Sequence, residues 1–299
     1  MKKNKSKSLN QQLKQAAMQA KGSGTTEHAR KLHVKRFSSY LKANNIQIRD
    51  ISQIKTKYIQ GYITQRLEQG VKKRTLKNEM SAIRKVLRME NRSKLANSPL
   101  ISNEALGLTG DSRKGTKVAI TDIQYQEIYQ KAFQKSPALA ATIEIARVLG
   151  LRGEEAVQSC QSLKTWQTAL TNGASRLKVI FGTKGGRPRE TTILDRTRVI
   201  NAINNAVAIA EKQNGKLINK ATLKQAMTYW RNHCSAIGLT GKLAPHSLRY
   251  AFAQDLMRYY KAQGHSEKEV MAMVSMDLGH GDGRGRYIKL VYGNTGVEQ

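Results

Sequence analysis

The sequence is poor in cysteine, poor in acidic residues and free of long apolar runs. Only two cysteines occur among 299 residues, Cys160 and Cys234, and their spacing is not that of a metal site. A disulfide framework and a structural zinc site are therefore not expected, and the chain is predicted to be a reduced, cytoplasmic protein. No apolar run approaches the roughly 20 residues that cross a bilayer. The basic N-terminus also lacks the apolar segment of a signal peptide, so no membrane partner is expected.

The shortage of acidic residues leaves a large positive charge. Lys and Arg number 52 against 21 Asp and Glu, which gives a formal net charge of +31. The excess is uneven, because residues 1–98 contain 24 basic and 5 acidic side chains. Such a surplus repels itself unless a polyanion faces it, so a nucleic-acid partner is predicted. Charge alone does not distinguish DNA from RNA, or an enzyme from a binding protein.

Sequence patterns divide the chain into four parts. Residues 1–22 are predicted to be a basic flexible tail with, at most, a short helix at Leu9–Ala20. Residues 23–95 contain successive amphipathic helical patterns and are predicted to form a helical DNA-binding domain. Residues 96–117 are rich in Ser, Asn and Gly and are predicted to be a linker. Residues 118–299 form the second domain.

The basic face of one helical pattern in the first domain provides most of the candidate DNA contacts. In "KKRTLKNEMSAIRKVLRMEN", apolar residues fall on one face and basic residues cover the other. The candidate DNA-binding residues are Lys72, Lys73, Arg74, Lys77, Arg84 and Lys85, together with Arg187 in the second domain.

The second domain is predicted to be mostly helical with one small sheet. A helix is expected after Thr121 as N-cap. In "RLKVIFGTKGGRPRETTIL" two β-rich runs flank a glycine-containing turn, which is typical of a hairpin. Ser266 and Glu269 have the spacing of a capping box and predict a later helix start.

Residues of chemical interest are spread along this domain, and each has an ordinary structural explanation when taken alone. An arginine follows a helix break, a lysine lies at the hairpin tip, and a His and an Arg lie three residues apart, on one side of a helix. A second His precedes a glycine-rich loop, and two tyrosines follow. In chain order these are Arg152, Lys184, His246, Arg249, His280, Tyr287 and Tyr292.

Taken in this order, the set resembles the tyrosine recombinase (phage integrase) family. "GLRGEE" looks like the family's first-arginine motif, with Glu155 as its acidic companion, and "TKGGRPRE" resembles its hairpin-lysine motif. "PHSLRYAFA" and "LGH" resemble its His-x-x-Arg box and second histidine. The resemblance covers Ala119 to Tyr292, and more loosely residues 25–92, where the family has a helical core-binding (SAM-like) domain.

The resemblance implies a fold, a partner and an assembly. It implies a mainly α fold with a small β-sheet, in which a helical core-binding domain and a mixed α/β catalytic domain form a clamp around double-stranded DNA. It also implies a homo-tetramer on paired recombination sites, accessory DNA-bending proteins in some systems, and association with the bacterial nucleoid when bound.

The chemistry of phosphodiester cleavage fits the same residues. Arg152 and Arg249 can hold the nonbridging oxygens bidentately. A tyrosine hydroxyl needs a base such as His246 to accept its proton, and Lys184 can protonate the departing 5′ oxygen. His280 would donate a hydrogen bond to the phosphate, and Glu155 would hold these groups in place. There is no Walker-type or metal-binding motif, so neither a metal nor a cofactor is expected.

Two tyrosines compete for the role of nucleophile. Tyr292 in "KLVYG" fits the family pattern of an apolar residue before the nucleophile, and "GRYI" around Tyr287 fits it less well. Tyr292 lies twelve residues after His280, a longer spacing than is usual in the family, and "GDGRG" can absorb the difference. Tyr292 is favoured, with Tyr287 as the alternative. Only seven residues follow Tyr292, so no long C-terminal helix is expected for donation to a neighbour.

The predicted function is therefore site-specific DNA recombination through a 3′-phosphotyrosyl intermediate, in the integration or excision of a mobile element. Two alternatives remain at this point. One is a DNA-relaxing enzyme of the type IB topoisomerase kind, and the other is a catalytically inactive DNA-binding regulator or architectural protein.

Overall fold

Helices account for almost all regular structure in residues 7–110 and 115–293, the ranges that the computed structural model describes. Within these ranges the one sheet has two strands, so the predicted mainly helical class with a small sheet is confirmed. The chain divides into two compact units, residues 1–112 and 113–299. None of the helices in the described ranges has both the length and the apolar character that crossing a bilayer requires.

In its described residues, 7–110, the N-terminal unit has five α-helices around one apolar core. Their inward-facing residues include Leu13, Phe37, Ile59 and Met80, all at most 2% exposed. The helices are α1 (Leu9–Gln19), α2 (Gly24–Ala43), α3 (Thr56–Glu68), α4 (Lys73–Met89) and α5 (Ser93–Ala96), with short 3-10 turns at Ile51–Gln53 and Pro99–Ile101.

The short helix predicted at Leu9–Ala20 is present as α1, but the prediction of a flexible tail is wrong for the described residues around it. Ser8 caps α1 in a capping box with Gln11, and the apolar positions of α1 form a stripe that packs in the core of the unit. The Gln12 amide also donates to the Arg49 carbonyl at 3.0 Å. The stripe has helical spacing, so the helix buries an apolar face as soon as a partner helix is present. Residues 1–6 lie outside the described range.

The predicted linker over residues 96–117 is also largely part of this unit. Ile101, Leu106 and Leu108 are buried in its core. The guanidinium of Arg84 donates to the Ile101 carbonyl at 2.5 Å and to Asn103 Oδ1 at 3.0 Å. Apolar side chains at these positions anchor the segment, despite its polar composition. The linker residues 111–114 lie outside the described ranges.

The C-terminal unit contains nine helices and one hairpin in its described part. The helices are α6 (Asp122–Lys135), α7 (Pro137–Val148), α8 (Gly153–Gln158), α9 (Leu163–Thr171), α10 (Arg196–Glu211), α11 (Leu223–Ala236), α12 (His246–Ala262), α13 (Glu267–Asp277) and α14 (Gly285–Tyr292). A large core surrounds α7 and α10, and a second cluster joins α12, α13 and α14. The predicted caps Thr121 and Ser266 are confirmed.

The predicted hairpin is confirmed as two antiparallel strands, β1 (Arg176–Val179) and β2 (Arg189–Thr192). Arg176 pairs with Thr192 and Val179 pairs with Arg189. The connection contains a short 3-10 turn at Lys184–Gly186. Gly185 and Gly186 both have positive φ there, which glycine adopts without steric cost.

Candidate active site

The first arginine of the predicted site lies at a turn that only glycine can make. Gly150 has φ +57°, and a Cβ on it would lie 2.1 Å from the Phe252 ring. The turn brings Arg152 to the start of α8. Its guanidinium donates to Glu155 Oε1 at 2.6 Å and to the Leu278 carbonyl at 3.0 Å. The Arg152 side chain is 20% exposed, so it can reach a ligand from solvent.

Glu155 is buried among three guanidinium groups. Its Oε2 accepts from Arg189 at 2.9 Å and lies 3.8 Å from Arg249 Nη1. Its Oε1 accepts from Arg152. Burial would raise the pKa of Glu155. The charges of Arg189, Arg249 and Arg152 outweigh burial and lower the pKa to about 2. The carboxylate is therefore ionised at neutral pH and holds the arginines together.

The second arginine and the first histidine share the first turn of α12. Arg249 is fully buried, and its two terminal nitrogens donate to the carbonyls of Gly150 and Leu278. Burial and the Arg189 charge lower the pKa of Arg249 to about 10, so it stays charged at neutral pH. The remaining Nε lies 3.5 Å from the Tyr292 hydroxyl.

Both histidines are neutral at neutral pH. Burial, followed by the charges of Arg249 and Arg152, lowers the pKa of His246 to about 4. The same causes lower the pKa of His280 to about 3, with Lys184 among the contributing charges. A neutral imidazole can accept one hydrogen bond and donate another, so either ring can accept a hydrogen bond from a neighbouring hydroxyl.

The two candidate tyrosines lie in different surroundings. The Tyr292 side chain is 1% exposed, and its hydroxyl lies 3.2 Å from His280 Nε2 and 3.5 Å from His246 Nε2. Tyr287 is 40% exposed, and its ring centroid lies 5.0 Å from that of His280. Both belong to α14, whose buried Ile288 packs in the apolar cluster that α14 forms with α12 and α13. The structure therefore brings the Tyr292 hydroxyl against both histidines and Arg249, whereas the ring of Tyr287 packs beside His280.

Lys184 lies exposed in the 3-10 turn of the hairpin. The strand leading to it passes against α8, because a Cβ on Gly182 would lie 2.5 Å from the Glu154 carbonyl carbon. This close approach fixes one side of the hairpin, whereas Lys184 itself projects from the tip. The charge of Lys184 is one of those that lower the pKa of His280, so its ammonium lies on the same side of the unit as that imidazole.

Sequence reasoning missed two groups in this cluster. One is Arg189, a buried arginine in the hairpin that contacts Glu155. The other is the Leu278 carbonyl, which accepts from both Arg152 and Arg249. Arg189 was visible in the sequence as the second cation after the hairpin lysine, but a main-chain acceptor has no sequence signal.

Comparisons with known proteins bear on the identity of this cluster. A family model described as "Integrase" matches residues 107–255, and one described as "Phage integrase, N-terminal" matches residues 6–96. The chain belongs to the tyrosine recombinase (phage integrase) family. It is therefore a site-specific DNA recombinase. The first match ends before His280 and Tyr292, so these two positions depend on the geometry described above.

Solved structures show the same fold. A lambda integrase dimer bound to a core site is 19% identical, covers 98% of this chain and 79% of that chain, and has a TM-score of 0.62. A Tn1549 transposon integrase bound to transposon right-end DNA is 14% identical, covers 95% of both chains, and has a TM-score of 0.60. A lambda integrase tetramer on a Holliday junction is also similar, with 19% identity, 97% and 80% coverage, and a TM-score of 0.56. None of the curated protein sequences compared with this recombinase gives a match.

The candidate DNA-binding residues in the N-terminal unit of the recombinase fall into three groups. Lys72, Arg74 and Lys85 are exposed on or beside α4, as is Lys73, whose ammonium also donates to the Thr109 carbonyl at 3.0 Å. Lys77, also on α4, is half-buried. The guanidinium of Arg84 donates to Ile101 and Asn103 and so stabilises the unit itself, and its role in DNA binding stays a prediction.

Arg187 lies in the C-terminal unit, beside a groove that reaches His280. This groove has a volume of about 350 Å³ and is lined mainly by the hairpin and the turn after α13. Arg176 and Lys178 on β1 add two further cations to it. The hairpin face therefore offers positive charge next to the catalytic candidates. In the described ranges, no three His, Cys, Asp or Glu side chains form a group that could hold a metal ion.

Proposed function

We propose that this recombinase cuts and rejoins DNA through a 3′-phosphotyrosyl intermediate on Tyr292, during the integration or excision of a mobile element. One observation carries the proposal. The Tyr292 hydroxyl lies within 3.5 Å of two neutral histidines and of the guanidinium of Arg249. A nucleophile, a proton acceptor and a charged phosphate-binding group therefore meet at one oxygen atom.

The proposed first step is attack of the Tyr292 oxygen on the scissile phosphorus. An O–P bond forms, the bond between phosphorus and the 5′ oxygen breaks, and His246 accepts the phenolic proton. Lys184 gives a proton to the departing 5′ oxygen. The 3′-phosphotyrosyl bond conserves the free energy of the phosphodiester, so a 5′ hydroxyl can reverse the step without an added energy source.

Arg152 and Arg249 have the proposed role of binding the nonbridging oxygens while negative charge grows on them. Preorganised donors of this kind act most strongly in a buried, charged site. Arg152 supplies the partly exposed guanidinium and Arg249 the buried one. His280 would add a hydrogen bond to the phosphate, and Glu155 would keep both guanidiniums in position.

We further propose that both units contact one DNA duplex and that the recombinase acts as a tetramer on paired sites. The lambda integrase structures contain a dimer on a core site and a tetramer on a Holliday junction. The exposed cations of α4 would contact phosphates, which positions the protein without reading bases.

A nicked suicide duplex carrying the ends of the mobile element tests the mechanism. The unsubstituted protein should form a covalent adduct, seen by denaturing gel electrophoresis, in the presence of EDTA. Tyr292→Phe should bind the duplex but form no adduct, whereas Tyr287→Phe is the matched control on the same helix and should form it. An adduct with Tyr292→Phe and none with Tyr287→Phe would reverse the assignment, and an absolute requirement for magnesium would refute the mechanism.

A further inference from the structure

Arg189, the first residue of β2, is a buried arginine to which the mechanism gives no task. Its side chain is 2% exposed. Burying a guanidinium costs free energy unless several acceptors replace water. The contacts of Arg189 therefore indicate what the residue does.

The Arg189 guanidinium joins three segments of the C-terminal unit. Its Nη1 donates to the Asp277 carbonyl, at the end of α13, at 2.6 Å. Its Nη2 donates to Glu155 on α8 at 2.9 Å and to the Gly150 carbonyl, before α8, at 3.2 Å. A planar fork can hold acceptors in different directions, whereas an ammonium is a single point charge.

The stem of Arg189 fits the turn that carries His280. Gly279 has φ +62°, and a Cβ on it would lie 2.7 Å from Arg189 Cδ and 3.2 Å from Arg189 Cβ. The missing side chain at residue 279 therefore makes the room that Arg189 fills. His280 follows directly, so the arginine and the position of that imidazole are linked through packing.

Charge links Arg189 to Arg152 as well. Among the groups that oppose the effect of burial on Glu155, Arg189 contributes most to lowering the pKa of this carboxyl. The ionised Glu155 then accepts from the Arg152 side chain at 2.6 Å and from the Arg152 main-chain nitrogen at 2.9 Å. Loss of Arg189 would therefore loosen the contact that orients Arg152.

We propose that Arg189 is a positioning residue of the cleavage site. It fixes the positions of Glu155 and of the turn that carries His280 relative to β2, the strand that follows Lys184. This inference depends on the proposed phosphotyrosyl mechanism. Arg189 acts through Glu155 and His280 and does not itself touch the phosphate.

The test compares Arg189→Gln with Arg147→Gln. Arg147 is a matched control, because it is another buried arginine of the same unit, 7% exposed, that pairs with Asp255 at 2.6 Å. Both variants should lose stability. Cleavage of the suicide duplex is measured at saturating DNA, per folded molecule and as a function of pH, with the half-saturating DNA concentration measured separately.

Arg189→Gln should slow cleavage by about a hundredfold, the scale expected when a reacting group shifts by about 1 Å. The DNA concentration for half-saturation should stay unchanged. The acid limb of its pH profile should move to higher pH, because the Glu155 carboxyl loses its strongest partner and is protonated more easily. Arg147→Gln should cleave at the unsubstituted rate with an unshifted profile. Arg189→Lys should be intermediate in rate and keep the acid limb, because it retains the charge but loses the fork.

Two results would overturn the inference. One is cleavage by Arg189→Gln at the unsubstituted rate and pH dependence. The other is a loss of rate equal to that of Arg147→Gln at every pH, which would make Arg189 a stability residue only. If Arg189→Gln does not fold, an undiminished rate in Arg189→Lys would likewise overturn it. A failure of the unsubstituted protein to form any adduct would instead refute the proposed function.

Discussion

Glu155→Gln is the substitution for which the structure gives the sharpest energetic prediction. The change removes one negative charge and keeps the shape of the side chain. It leaves the buried guanidiniums of Arg189 and Arg249 without their shared carboxylate. The variant should therefore lower the stability of the C-terminal unit in addition to impairing cleavage.

The size of the stability loss in Glu155→Gln follows from the pKa of the Glu155 carboxyl. The pKa of Glu155 is lowered from its ordinary 4.5 to about 2. A lowering of this size corresponds to about 3 kcal/mol of stability at pH 7. Removing one partner of a buried ion pair costs about 3–5 kcal/mol, which is the same range.

The lowered pKa also determines how the contribution of Glu155 to stability changes with pH. Because the folded-state pKa is lowered, the contribution of Glu155 is complete above pH 4.5 and is lost as the pH falls toward 2. At pH 3 less than half of the stabilisation present at pH 7 should remain. The stability difference between the unsubstituted protein and the variant should shrink accordingly.

Urea unfolding followed by tryptophan fluorescence measures the stability difference between the variant and the unsubstituted protein, and it reports on the C-terminal unit. The chain has two tryptophans, Trp166 and Trp230, and both are buried in the C-terminal unit. Glu154→Gln is the matched control, since the adjacent carboxylate is exposed. It should change stability by no more than about 0.5 kcal/mol. A loss with Glu155→Gln that is the same at pH 7 and pH 3, or no larger than with Glu154→Gln, would refute the reasoning.

Three further predictions concern the remaining cations. Arg152→Ala and Arg249→Ala should each slow adduct formation by roughly 10²–10³-fold, because each removes a partner of transition-state charge; near-normal rates in either would contradict its assignment. Lys184→Ala should regain cleavage on DNA with a sulfur at the 5′ bridging position, because a thiolate leaves without a proton, and an unrescued rate would exclude a general-acid role. Lys85→Ala should reduce the slope of log K against log salt by about 1. Arg84→Ala should instead lower the melting temperature in calorimetry; the reverse pattern would show that Arg84 faces the phosphates.

The parts of the site that the sequence predicted are those with short local patterns. His246 and Arg249 lie three residues apart, and this spacing places them in the same first turn of α12. The hairpin is encoded by two β-rich runs around its glycines, so the position of Lys184 followed from local sequence. Local propensity and local spacing agree at these positions, so the sequence alone was enough to predict the elements on which these residues lie.

The parts that were missed depend on contacts between distant segments. Arg189 reaches Glu155 across 34 residues and Asp277 across 88, and no local pattern encodes such pairs. The flexible-tail prediction failed for a related reason. The many lysines of the N-terminus are typical of a solvated tail, but the apolar stripe of α1 becomes a buried face where it packs against α2 and α4.

The charge of the assembled site matches the reaction proposed for it. Three guanidiniums, those of Arg152, Arg189 and Arg249, surround the single carboxylate of Glu155, so the cluster carries an excess of positive charge before DNA binds. The same excess contributes to the lowered pKa of both histidines, and it therefore keeps a proton acceptor available beside Tyr292. A phosphodiester brings one negative charge, and the five-coordinate transition state carries a second. With three cations and one anion, the cluster has enough excess positive charge to compensate the second negative charge as well as the first. A site with equal numbers of cations and anions would compensate neither charge. Glu155 thus holds the arginines together without cancelling the field that the transition state requires.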